Sequence, residues 1–245
     1  MSWTNLVAIQ PHGKSLPLFC VQGDEANRTL PKHLGPDRPF YAFQHQGGDG
    51  KRIALDRVET IAGHFVDELK QARPHGPYLL CGYSFGGIIA YEMAQQLVAQ
   101  GASVPLLTLF DTYAPLIHAE AMQHGAHFYE PLKAAILHKA VEQRLRKGTL
   151  LRGRLRHFHI IDTYDKAVSA YTARPYPGRL SIFKAKDSWG RFDMGWHGLA
   201  NGGLEIETIP GDHFSMIAEP NVAVIAEQLR LRIAFVEERS ADRVP

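Results

Sequence analysis

The chain has 245 residues, 45% of them hydrophobic and 21% charged, a globular composition that excludes a mostly disordered polypeptide. Lys plus Arg number 27 against 25 Asp plus Glu, a formal net charge of +2 with the histidines neutral, so no nucleic-acid partner is expected. Two cysteines cannot build a disulfide framework, and no apolar run reaches the roughly 18 residues of a membrane span. Residues 1–10 lack a basic stretch followed by a long apolar core, so no secretory leader is expected and a reducing, cytoplasmic location is.

No repeat or low-complexity segment interrupts the chain. Residues 18–21 and 40–43 read as buried strands, being short, apolar on both faces and bounded by turns. Helical spacing follows over residues 58–72. A third buried strand is predicted at 78–81 and a second helix from Ile88 to Gln100, with Ile89, Ala90, Met93, Ala94, Leu97 and Val98 along one side and Gly101 as stop signal. Residues 104–110 form the next strand. From about 114 to 176 no strand is predicted. Leu132, Ile136, Leu137, Ala140 and Leu145 mark one helix there, and Ile161, Tyr164, Ala167, Val168 and Tyr171 another. Strands return at 179–185 and 204–209, and a last helix carries Val222, Ile225, Ala226, Leu229, Ile233 and Val236. Strands alternating with helices predict an α/β fold with a mostly parallel sheet covered on both faces, a single domain over 1–245. The all-helical stretch at 114–176 is expected to be a lid over the strand ends.

The sharpest motif is Gly82-Tyr83-Ser84-Phe85-Gly86, followed by Gly87. It matches G-x-S-x-G between a predicted strand and a predicted helix, the setting of a nucleophile elbow. There a serine is held in a strained backbone conformation, and side chains at the flanking glycines would strike neighbouring backbone. Ser84 is therefore the candidate nucleophile, and the Phe85 amide, at a helix N-terminus, the candidate donor to an oxyanion.

A serine hydroxyl needs a base, and the base a third group to orient it. Of 13 histidines, His213 is chosen by position, because it lies in a turn just after the 204–209 strand and before the last helix. That places it at the carboxyl ends of the strands, where open α/β sheets keep their sites. Two acids end neighbouring strands, Asp111 and Asp187, and spacing alone leaves both open. Asp212 is the poorer choice, since successive residues in a turn point apart. His118, His124, His127 and His138 show no ligand spacing, so no metal site is expected.

Several segments together resemble the thioesterase domains that end nonribosomal peptide and polyketide synthetases. They are residues 6–10 with 18–21, Leu34 to Tyr41, Gly76 to Gly87, Tyr91 to Ala94, Leu109 to Thr112, Tyr176 to Gly178, and Pro210 to Phe214. The resemblance runs from about residue 5 to 235 and leaves mainly the lid unmatched. It implies an α/β-hydrolase fold and a triad acid after the strand that follows the elbow helix, which favours Asp111 over Asp187. It also implies release of an acyl, polyketide or peptidyl chain from a carrier domain's phosphopantetheine thiol. The chain would pass through an ester on Ser84, with release by water or by ring closure. No metal or organic cofactor is implied; the implied partner is an acyl or peptidyl carrier protein, and the resemblance suggests the last domain of a synthetase. A carboxylesterase or lipase is the second enzymatic reading, and a binding module of hydrolase fold without turnover the third.

One segment departs from the family. Where many members carry a His-Pro or His-Gly and a glycine-rich turn, this chain has Gln22-Gly23-Asp24-Glu25-Ala26-Asn27, a shortened loop with one glycine. Gly23 supplies the candidate second oxyanion amide, with Asp24 beside it. Arg144, Arg146, Lys147, Arg152, Arg154 and Arg156 cluster in the lid, either as a solvated face or as a dock for an acidic carrier domain. Cys20 and Cys81 fall in buried strands as small hydrophobes, and Trp189, Phe192 and Trp196 either border the acyl channel or pack a loop.

Overall fold

A computed structural model of the chain describes residues 5–123 and 131–241. Seven strands make one sheet: β1 (Leu6–Gln10), β2 (Leu18–Val21), β3 (Phe40–Phe43), β4 (Leu79–Tyr83), β5 (Leu106–Phe110), β6 (Leu180–Ala185) and β7 (Leu204–Ile209), in the order β1-β3-β2-β4-β5-β6-β7. All neighbours pair in parallel except β1, which runs antiparallel to β3 at the edge. The predicted mostly parallel sheet is thus present, with β1 added to the six predicted strands.

The helices divide between the two faces. Those called α1 (Asp24–Leu34) and α7 (Asn221–Ala241) pack on one, with Leu18, Cys20, Leu79, Cys81 and Phe110 of the sheet beneath them. On the other lie α2 (Val58–Ala72) and α3 (Phe85–Ala99), over Phe19, Val21, Leu80, Leu107 and Leu109. Alternate residues of each strand serve opposite faces, which is why the central strands are apolar throughout. Each large side chain so buried stabilises by roughly 1.5–3 kcal/mol, enough in sum to hold the strand ends rigid. Sandwiched between sheet and neighbours, α3 buries Ile88, Tyr91 and even Glu92 as well as the predicted stripe from Ile89 to Leu97, with Val98 partly buried. It starts at Phe85, three residues before the predicted point, so that Ser84 itself is the junction.

Between β5 and β6 come three helices, α4 (Pro115–Gln123), α5 (Pro131–Arg146) and α6 (Gly153–Ala170). Sequence predicts the last two. The apolar stripe assigned to α5 is only partly inward: Leu132 and Ile136 are 75% and 61% exposed, while Val141 is the buried contact to Leu151 and Phe158. His124 and His127 lie outside the described residues. No described helix is long and apolar enough to cross a membrane.

Candidate active site

The parallel register brings the carboxyl ends of β2, β4 and β5 level, pairing Val21 with Gly82 and Tyr83 with Phe110. The residue after each strand has left-handed backbone: Gln22 (φ 61°), Ser84 (φ 55°) and Asp111 (φ 42°). These are three of the four described non-glycine residues with positive φ, the other being Met194. Such strain persists only where surrounding packing imposes it, and here it gathers along one edge of the sheet.

At the β4–α3 junction the glycines have definite neighbours. A Cβ on Gly82 would lie 2.4 Å from the Gly86 carbonyl oxygen, and one on Gly86 2.2 Å from that of Val21. Gly87 faces Thr112, whose Oγ1 a Cβ would meet at 2.1 Å. The same hydroxyl donates to the carbonyls of Ser84 and Phe110, both at 3.1 Å, so Gly87 leaves room for a hydrogen bond that ties the turn to β5. Ser84 is thereby lifted to the N-terminus of α3, where the first amides have no partner within the helix.

Asp111 is 1% exposed and accepts from three donors. The Ala185 amide donates to Oδ1 at 2.9 Å, the Ser188 hydroxyl to Oδ2 at 2.5 Å, and His213 Nδ1 to Oδ2 at 2.7 Å. A carboxylate only accepts, so the proton of the neutral imidazole sits on Nδ1 and Nε2 keeps its lone pair. Asp187, the other acid open to the sequence, is exposed, and its amide donates to the Gly211 carbonyl at 3.1 Å. Its strand-end loop nonetheless reaches Asp111 through Ser188. Asp212 turns away from the imidazole and accepts at Oδ1 from the amides of Phe214 and Ser215. These bonds, the Ser215 amide first, hold its carboxyl below the usual range.

Ser84, Phe85, Gly23 and His213 line one cavity of about 280 Å³, together with Tyr83, His118, Tyr164, Asp165 and Phe214. The helices α4 and α6 supply part of its wall, where His118 Nε2 meets Asp165 Oδ1 at 3.2 Å and Phe85 stacks on Tyr164 with ring centroids 4.3 Å apart. A more polar cavity of about 300 Å³ adjoins it through Asp24, His45, His157 and Ile160, and adds Arg156 and Gly153. A larger one of about 530 Å³ contains none of these residues; Ser103, Leu106, Arg179 and Arg232 are in its wall. The shortened loop is shorter still than the sequence indicates. Helix α1 begins at Asp24, leaving Gln22 and Gly23 (φ 89°, ψ 58°) as the whole turn, with Gly23 at a second helix N-terminus facing the cavity of Ser84.

Other sequence candidates fall outside. Trp196 is fully buried and donates to the Thr112 carbonyl at 2.7 Å and Trp189 lies against Tyr113, so loop packing accounts for both, while Phe192 is exposed; none of the three lines the cavity of Ser84. Cys20 and Cys81 are buried, and burial, ahead of the neighbouring Cys20, pushes the Cys81 thiol well up, away from a reactive thiolate. The lid arginines and Lys147 are exposed. Among the described residues no three His, Cys, Asp or Glu side chains are grouped as a metal ion would need. Tyr83 and Ser188, by contrast, touch the site and carry no sequence signal of their own: Tyr83 fills the variable position of the serine motif, and Ser188 follows Asp187, one of the two acids that spacing leaves open.

Comparison with known proteins gives the family and the fold. A family model described as Thioesterase domain matches residues 23–231. Malpibaldin synthetase of Mortierella alpina is 26% identical over 245 aligned residues, covering 92% of this chain and 4% of that protein. Chondramide synthase cmdD of Chondromyces crocatus is 26% identical, with 98% of this chain and 7% of that protein covered. The chain thus spans a small fraction of these relatives. Among solved structures, a NocB thioesterase domain in covalent complex with a fluorophosphonate nocardicin G analogue superposes with a TM-score of 0.69 at 22% identity, covering 94% of this chain and all (100%) of that one. A four-domain nonribosomal peptide synthetase bound to AMP and glycine gives 0.71 at 23% identity, covering 93% and 20%. At such identities the likeness is one of fold.

Proposed function

The chain belongs to the thioesterase domain family, and we propose that it acts as one catalytic domain of a synthetase, freeing a carrier-bound acyl or peptidyl chain through an ester on Ser84. The observation that carries this reading is the strained serine sharing a cavity with an imidazole whose Nδ1 is bound by a buried carboxylate.

Ser84 Oγ attacks the thioester carbonyl while His213 Nε2 takes its proton, and Asp111 keeps the ring in the tautomer that can accept it. Charge moves to the carbonyl oxygen, toward the helix N-termini at Phe85 and Gly23. The tetrahedral centre collapses, the C–S bond breaks, and the leaving thiolate takes the proton from His213. A second nucleophile, water or a group within the chain itself, then gives its proton to His213 and attacks the ester, and Ser84 Oγ leaves with that proton. Helices α4 to α6 serve as the lid over the acyl chain. The polar cavity beside Arg156 and His157 supports approach of a phosphate-bearing arm from that side.

The test compares thioester and oxoester forms of one acyl group, first on N-acetylcysteamine and then on a carrier domain. Wild type should cleave the thioester, and Ser84→Ala should lose about 10⁴-fold or more in turnover. A large preference for the oxoester would reassign the chain to an esterase, and full turnover by Ser84→Ala would remove the serine from the mechanism.

A further inference from the structure

We infer that Tyr83, the variable residue of the serine motif, is a positioning residue that sets the distance between nucleophile and base. The inference rests on the reading of Ser84 and His213 given above.

Tyr83 is the last residue of β4 and is paired with Phe110 of β5, so its backbone is fixed by the sheet. Its covalent neighbour is Ser84. Its side chain reaches the other partner, because the phenol hydroxyl donates to the His213 carbonyl at 2.7 Å. The phenol ring also lies against the imidazole, with centroids 4.8 Å apart and planes inclined by 25°. One side chain therefore holds His213 by its backbone and by its ring face, from a point one peptide bond away from the nucleophile.

His213 needs such a hold. It lies in the connection between β7 and a short 3₁₀ turn (Ser215–Ile217), flanked by Asp212, which is exposed, and Phe214, which is 49% exposed. The Asp111 bond fixes Nδ1 but leaves the ring free to swing about that contact. With Tyr83 against one face and Phe214 edge-on at 5.2 Å, that swing is blocked and Nε2 is kept toward the cavity. The hydroxyl keeps its proton throughout the working range, since burial, then the Asp111 and Asp212 carboxylates, push its pKa above the ordinary tyrosine value.

A residue that places a base changes the chemical step and leaves substrate binding alone. Misplacing a reacting group by about 1 Å costs on the order of 100-fold in rate. Tyr83→Phe keeps the ring and loses only the hydroxyl bond, and should lower kcat about 10-fold with KM within twofold. Tyr83→Leu loses both contacts and should lower kcat by about 100-fold or more. Turnover of an acyl-N-acetylcysteamine thioester is the assay, with thermal melting of each variant alongside. A second readout is the low-field proton resonance of His213 Nδ1–H, which should broaden or move in Tyr83→Phe. If Tyr83→Leu does not fold, Tyr83→Phe alone carries the comparison. Wild-type kcat and an unchanged Nδ1–H resonance in Tyr83→Phe would overturn the inference, as would a loss confined to KM, which would make Tyr83 part of the substrate wall. Ser84→Ala, run in the same assay, separates this from failure of the serine reading. An inactive Ser84→Ala beside a fully active Tyr83→Phe refutes the positioning role only, and an active Ser84→Ala refutes the mechanism beneath it.

Discussion

Asp111→Asn tests the acid through atoms whose partners are all known. The two carboxylate oxygens accept from the Ala185 amide, the Ser188 hydroxyl and His213 Nδ1. An asparagine has one oxygen for these three donors. The Ala185 amide belongs to β6 and cannot turn, so the carboxamide oxygen stays at the Oδ1 position and the NH₂ takes the Oδ2 position. Ser188 can rotate its hydroxyl to accept. His213 can accept only by losing the proton on Nδ1, which moves it to Nε2, the nitrogen that must receive the proton of Ser84. The shape is unchanged and the side chain stays buried, so the fold should melt within a few degrees of wild type. Turnover should fall by about 10⁴-fold, or about 5.4 kcal/mol at 1.36 kcal/mol per decade, as for a triad locked in the wrong tautomer. The assay is thiol release from an acyl-N-acetylcysteamine, with labelling of Ser84 by a fluorophosphonate as a second clock. Asp187→Asn, on an exposed loop, should stay within threefold. An Asp111→Asn enzyme that keeps a tenth of wild-type turnover, or an Asp187→Asn enzyme that loses most of it, would refute the assignment.

Further consequences can be checked at other points of the fold. Gly86→Ala puts a methyl group 2.2 Å from the Val21 carbonyl oxygen, a backbone atom that cannot step aside. It should destabilise by about 3 kcal/mol or more in a denaturant titration, and a melt like wild type would contradict the tight elbow. His159 on α6 accepts from the Ile53 amide at 3.4 Å, and burial, then the Arg52 charge, holds its pKa below the usual histidine value. The opened segment therefore binds a proton more readily than the closed one. The closed state's advantage is full above about pH 6.5 and shrinks as pH falls below it. Exchange at the Ile53 amide, corrected for its intrinsic rate, should accelerate from about pH 7 to about pH 5.5 in wild type and not in His159→Gln; flat protection in wild type would exclude this contact. Replacing Arg152, Arg154 and Arg156 with serine should raise KM for a carrier-presented substrate by roughly 5- to 20-fold and spare the small thioester. Equal effects on both substrates would count against carrier docking there.

Much of this arrangement is legible in the sequence because its causes are local. The central strands are buried on both faces, so they read as short apolar runs, and the elbow needs glycines that no side chain can replace. The choice between Asp111 and Asp187 is not local: both end neighbouring strands, the family resemblance favours the first, and contact across the sheet gives it His213. Helix α1 escapes a pattern reading because Pro31 lies inside it and polar residues dominate its exposed side. Strand β1 carries an apolar run, Leu6 to Ile9, like its neighbours, but lies at a partly exposed edge of the sheet. In α5 the period is helical but only part of the stripe turns inward, Leu137 and Leu145 packing beside the buried Val141 while Leu132 and Ile136 stay exposed. The hydrogen bonds of Tyr83 and Ser188 join residues far apart in the chain, which composition and spacing do not register.

The most direct test is the mass of the enzyme caught in mid-reaction. Wild type, mixed with an acyl-loaded carrier domain and quenched within a single turnover, should carry the acyl mass on the peptide containing Ser84, and Ser84→Ala should carry none. Thiol release by wild type without any ester on that peptide, or an adduct on Cys20 or Cys81 in its place, would contradict the account.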